Sequence, residues 1–183
     1  MSRESMQVFF GMLALVALVG GVGLIVLRLL PWPAGRRVGA TIAESSTWLA
    51  WLVAAVATAG SLYFSEVAHY TPCKLCWYQR ICMYPLAWIL LAGALLRDRR
   101  IRWYGIPLAS IGIVISAYHY LIEWYPSLEA TECDPTAPCT LVWFRRFGFV
   151  TMPFMAGCGF LAIIALLACR YRPDPPPAPL EEH

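Results

Sequence analysis

The sequence predicts an all-α membrane protein: a four-helix transmembrane bundle with one extra transmembrane helix at the N-terminus. Three observations carry this. Hydrophobic residues make up 60% of the 183 residues, and mean hydropathy is +0.61. Charged residues are 14%, where a soluble domain carries roughly a quarter. Five apolar stretches approach the roughly 20 residues that a helix needs to cross a bilayer.

The stretches lie at 8–30, 46–64, 77–96, 103–122 and 147–168. The first is too long for the apolar core of a cleaved leader, and Arg28-Leu29-Leu30-Pro31-Trp32-Pro33 is no small-residue cleavage site, so it reads as a retained helix. Residues 31–45 are rich in Gly, Pro and small residues and read as a linker. That divides the chain into 1–45 (accessory helix and linker), 46–170 (four-helix catalytic bundle) and 171–183, a stiff proline-rich tail. The net charge of +3 is small and scattered, which argues against nucleic-acid binding. No phosphate-binding glycine loop, HExxH or GxSxG occurs.

Cytoplasmic loops collect Lys and Arg. Arg28, Arg36, Arg37, Arg97, Arg99, Arg100, Arg102, Arg170 and Arg172 fall on one side, and Arg3, Lys74, Arg145 and Arg146 on the other, nine against four. The N-terminus is therefore expected outside. Both cysteine-bearing breaks then face the extracytoplasmic, oxidising side of a bacterial-type cell membrane.

Those breaks hold the chemistry. Cys73-Lys74-Leu75-Cys76 reads as the start of the third helix, with Thr71 as cap, Pro72 at the first position and Cys73 in the first turn. Free N–H groups and the helix dipole there favour a thiolate, the reactive form. Arg80 is one turn beyond Cys76 on the same face. An intramembrane Arg costs about 2.5–3.5 kcal/mol and ordinarily has a role, which here is to donate to a carbonyl oxygen held near Cys76. Snorkelling to headgroups is the competing reading. The second pair, Cys133 and Cys139, lies in a long acidic loop over 124–146. The end of that loop, Trp143 to Arg146, is expected to lie on the headgroups. His119, near the outer end of the fourth helix, is either a cofactor contact or an interfacial hydrogen-bonding residue. Glu123, one turn on, is a candidate partner for it. Cys82, Cys158 and Cys169 sit in apolar helices and read as small apolar residues. Two dithiols at one membrane surface point to electron relay.

The run Pro72-Cys73-Lys74-Leu75-Cys76-Trp77-Tyr78-Gln79-Arg80, the pair Cys133/Cys139 and Phe147-Gly148-Phe149-Val150-Thr151-Met152-Pro153 resemble the DsbB/BdbC family of membrane thiol:quinone oxidoreductases. The resemblance covers 46–170. Tyr118-His119-Tyr120 and the five residues between the loop cysteines are similar to its Gram-positive branch, and the first helix departs from the four-helix pattern. It implies that Cys76 reacts with a membrane quinone (ubiquinone or menaquinone) and that Cys73 exchanges with the second loop. Cys133 would pair transiently with Cys73, while Cys139 forms the mixed disulfide with a thioredoxin-fold, DsbA-like thiol oxidase. Arg80 would contact the quinone, and His119 also, by position. Three other readings stand beside it. One is a vitamin K epoxide reductase-type enzyme, against which the arginine spacing counts. Another is a metal protein whose ion is held by the four thiolates of Cys73, Cys76, Cys133 and Cys139. The last is a structural protein with two inert disulfides.

Overall fold

The computed structural model describes residues 3–29, 33–130, 133–134 and 136–169. Leu30, Pro31, Trp32, Arg170, Arg172 and the proline-rich tail, which entered the sequence reading, lie outside the described residues. The described residues form five α-helices: α1 (Arg3–Leu29), α2 (Pro33–Leu62), α3 (Lys74–Leu95), α4 (Arg102–Trp124) and α5 (Met152–Ala168). Among the described residues there is no strand, only one isolated bridge between Arg146 and Val150.

Three segments, Arg3–Leu29, Ser45–Val67 and Arg102–Trp124, are long and apolar enough to cross a membrane. α5 is a shorter apolar helix. It is apolar around most of its circumference, and that fits its place at the centre, packed against α1, α2 and α4. Phe160, Leu86, Leu90 and Ile163 form the fully buried heart of the bundle. Large apolar residues such as Val19, Trp88, Leu96 and Val114 are left on the outside, where lipid replaces water as the solvent.

Two expectations give way. Residues 33–45, read as linker, continue the second helix, which begins at Pro33. Proline suits a first helical position, and the alanines that follow favour helix. The fifth helix begins at Met152 and not at Phe147. Phe147 (φ 51°) and Gly148 (φ 81°) adopt left-handed backbone in a turn that Arg146 and Val150 close by pairing.

Nor is α1 detached. It runs parallel to α5, so close at Gly21 that an added Cβ would lie 3.2 Å from Ala162 Cα. Near its start Gln7 donates to Tyr70 Oη and accepts from Arg146 Nε (2.8 and 2.9 Å). At its end the Arg28 guanidinium donates to the Ala168 carbonyl. The start of α1 thus shares one end of the bundle with both cysteine-bearing breaks.

Candidate active site

The first break begins where α2 ends in a π turn, Tyr63–Val67, followed by His69 in left-handed backbone (φ 58°). Cys73 then takes extended backbone and is itself the N-cap of α3, its sulfur accepting from Cys76 N at 3.3 Å. The expected cap, Thr71, comes too early in the chain to serve. A sulfur at the N-cap does what Ser or Asp does there, and the donor it takes is an orphan N–H of the first turn.

Cys73 Sγ and Cys76 Sγ are 3.0 Å apart, a hydrogen-bonded dithiol. His119 Nε2 lies 3.7 Å from Cys73 Sγ and 3.1 Å from the Cys139 carbonyl oxygen. The Gln79 amide is 3.2 Å from Nδ1. With Gln79 donating to Nδ1, the imidazole carries its proton on Nε2 and offers it to the sulfur and the carbonyl. The hydrogen bond from Cys76 holds the Cys73 thiol well below the ordinary thiol range. Burial opposes this, and the His119 and Cys76 N contacts reinforce it.

Above this dithiol lies the loop. Cys133 and Cys139 are joined in a disulfide (Cα–Cα 5.9 Å). Asp134 accepts from Thr136 N and Oγ1 (2.8 and 2.7 Å), which shapes the turn between them. Tyr118 Oη accepts from Ala130 N at 2.8 Å and ties the outgoing arm to α4. The returning arm is held by aromatic stacking: Trp143 on Tyr70 (4.7 Å), and Tyr70 on Phe64 (5.9 Å). Trp143 and Arg146 thus both have protein partners. Trp143 has Tyr70, and Arg146 has Gln7 and, at 3.5 Å, Glu4.

Burial separates the loop cysteines. Cys139 is fully buried and shares one cluster with Cys73, Leu75 and Ile122, while Cys133 is only half-buried. The resemblance paired Cys133 with Cys73 and gave Cys139 to the partner protein. Of the two, half-buried Cys133 is the more accessible to a soluble thiol.

A cavity of about 380 Å³ opens beside Cys76. Its polar end carries Cys76, Gln79, Arg80, Ser61 and Tyr84, and the rest is apolar. Arg80 reaches across to α2, donating Nε to Ser61 Oγ (3.0 Å) and a terminal nitrogen to Ser61 O (3.1 Å). Its guanidinium also lies 5.1 Å from the Trp77 ring centroid. It is thus bound into the cavity wall. His119 is not on that wall. It faces a void of about 10 Å³ that Cys73, Cys76 and Glu123 also line. Cys76 alone of the four site cysteines touches both spaces.

Sequence reasoning missed Gln79 and Ser61. Gln79 had a signal, since it follows Cys76 at a spacing of three; Ser61 had none. A four-thiolate metal site would need all four sulfurs around one point. Here Cys73, Cys76 and His119 form one group and Glu129, Cys133 and Cys139 another, with the loop pair already bonded to each other.

Residues 43–170 match the family described as "DsbB: Disulfide bond formation protein DsbB". The chain is 42% identical over 126 residues to the "Probable disulfide formation protein" of Oceanobacillus iheyensis, covering 68% of this chain and 87% of that one. It is 43% identical over 121 residues to the "Disulfide bond formation protein C" of Bacillus subtilis, covering 66% and 88%. To the "Probable disulfide formation protein C" of Halalkalibacterium halodurans it is 47% identical over 120 residues, covering 65% and 85%. No solved structure matches it. With a CxxC at a helix start, a second cysteine pair packed over it and a membrane bundle beneath, this chain belongs to the DsbB family of disulfide bond formation proteins.

Proposed function

We propose that this membrane oxidoreductase takes two electrons from an extracytoplasmic thioredoxin-fold dithiol protein and delivers them to a membrane quinone. The observation that carries the reading is the position of Cys76, between the thiol chemistry and an apolar cavity with a charged end.

The residues present fit a quinone. About 380 Å³ suits a small-molecule site, and an apolar body with few convergent polar groups is the usual build of one. When bound, the quinone supplies a two-electron, two-proton acceptor. Arg80 and Gln79 offer donors to a carbonyl oxygen beside Cys76, and Ser61 fixes the Arg80 fork.

The thiol steps balance as exchanges. A partner thiolate attacks Cys133 Sγ, breaks Cys133–Cys139 and releases Cys139 as thiolate. Cys139 attacks Cys73, breaks a Cys73–Cys76 bond and releases Cys76. The partner's second thiol then closes its own disulfide and frees Cys133. Cys133 attacks Cys139 and expels Cys73, and the loop disulfide is restored.

The test mixes purified protein with a reduced thioredoxin-fold oxidase and a soluble quinone analogue and follows quinone absorbance. Serine at Cys73, Cys76, Cys133 or Cys139 is expected to abolish turnover, and alanine at Cys82, Cys158 or Cys169 to spare it. Quinone reduction that persists without Cys76 would overturn the reading.

A further inference from the structure

The first helix lies outside the region that defines the family. The match begins at residue 43, and 126 aligned residues at 87% coverage make the Oceanobacillus protein about 145 residues long, against 183 here. Yet α1 supplies a wall of the cavity. Phe10, Leu13, Ala14 and Ala17, spaced as one helical stripe, line it. The facing wall is a stripe of α2: Val53, Val56, Ala57 and Gly60.

Two contacts position α1 at the cavity. Gly21 lets α1 close on α5, and Phe10 lies against Gly60 of α2, where an added Cβ would be 2.8 Å from its ring. At the other end of the cavity the wall residues are small or aliphatic, and space remains. From Gly60 back to Leu52 α2 runs about 12 Å away from the polar end. The α1 stripe carries no polar side chain, so what fits against it is hydrocarbon. Val16 and Leu52, both on the cavity wall, are 67% and 50% exposed. The cavity therefore reaches the lipid-facing surface between α1 and α2.

We propose that α1 forms the subsite for the isoprenoid tail of the quinone, and that the tail runs from the Cys76 end, between α1 and α2, out to the bilayer. This rests on the quinone reading above. It turns the additional helix into part of the binding site, with tail selection as its contribution.

Full-length variants test it. Ala17→Phe and the milder Ala17→Leu fill the tail end from α1. Ala57→Phe fills the cavity from α2, and Val19→Phe, on the exposed face of α1, is the control. Each is assayed for KM with a long-tailed and a tailless quinone, and for disulfide exchange with the reduced partner, which reports folding. Expected for Ala17→Phe is a rise of about ten-fold or more in KM for the long-tailed quinone, the scale of a steric misfit in an apolar pocket. Tailless quinone, partner exchange and Val19→Phe should stay near wild type. If both Ala17 variants leave both KM values unchanged while Ala57→Phe raises them, the quinone cavity stands and the α1 subsite falls. Equal rises for both quinones with Ala17→Phe would put the ring against α1 and overturn the tail assignment. If no filling substitution affects either quinone, the cavity reading itself fails.

Discussion

Replacing His119 with Gln should raise the apparent pKa of Cys73 by about one unit. His119 Nε2 is 3.7 Å from Cys73 Sγ and shares its proton with the Cys139 carbonyl at 3.1 Å. A hydrogen bond to a charged group contributes about 1.5–3 kcal/mol. A long, shared one belongs at the low end, about 1.5 kcal/mol, and one pKa unit corresponds to about 1.36 kcal/mol. The sign follows from what is removed: a donor to the thiolate is lost, so the thiolate is disfavoured and the pKa rises. It stays below the ordinary range, because the larger contribution comes from Cys76. The assay is the alkylation rate of Cys73 in the reduced protein from acidic to neutral pH, read by peptide mapping so that Cys82, Cys158 and Cys169 do not interfere. The midpoint should move up by about one unit, with quinone KM within two-fold of wild type. An unmoved midpoint together with a raised quinone KM would refute the thiolate role and restore His119 as a quinone contact.

Other outcomes follow from the same geometry. Arg80→Lys keeps the charge but loses the fork that spans Ser61, so quinone KM should rise several-fold while partner exchange stays normal; an unchanged KM would favour snorkelling. A Cys76→Ser, Cys133→Ser double variant should trap a Cys73–Cys139 disulfide more readily than Cys76→Ser, Cys139→Ser traps Cys73–Cys133, and the opposite ranking on peptide mapping would restore the sequence-based pairing. A tag at Met1 should be open to protease in intact cells and a tag at His183 protected. The reverse pattern would put the cysteine breaks on the cytoplasmic side.

Much of this site was legible because its chemistry is local. The CxxC spacing, Arg80 one turn later and the second cysteine pair can be read within short windows, and helix number follows from apolar length. What failed was whatever depends on contacts across the chain. Phe147–Val150 is as apolar as the helix after it, so hydropathy could not expose the turn at Phe147 and Gly148. Residues 33–45 look like linker by composition, yet they propagate a helix that the bundle extends. The two loop cysteines are alike in sequence, and only the degree of burial tells them apart, Cys139 being fully buried and Cys133 half-buried. An apolar stretch such as α1 announces that it is buried or lipid-facing, not that it walls a cavity with Arg80 at the other end.

In the proposed relay the contacts on Cys73 also favour one direction of electron flow. In the last exchange Cys133 attacks Cys139 and Cys73 leaves, and a thiol of lower pKa leaves faster. The N-cap donor, the Cys76 thiol and His119 all stabilise that leaving thiolate. The same contacts vanish when Cys73 and Cys76 are bonded, so they stabilise the reduced pair relative to the disulfide and make it the more oxidising couple. His119 contributes about 1.5 kcal/mol by the reasoning above, which for a two-electron couple is about 30 mV. His119→Gln should therefore shift the Cys73–Cys76 potential about 30 mV negative in a glutathione titration at neutral pH. The Cys133–Cys139 couple, which Nε2 touches only through a backbone carbonyl, should move much less. Equal shifts in both couples would mean that His119 positions the loop and does not tune the thiolate. A shift in the positive direction would contradict the stabilisation of the reduced pair outright.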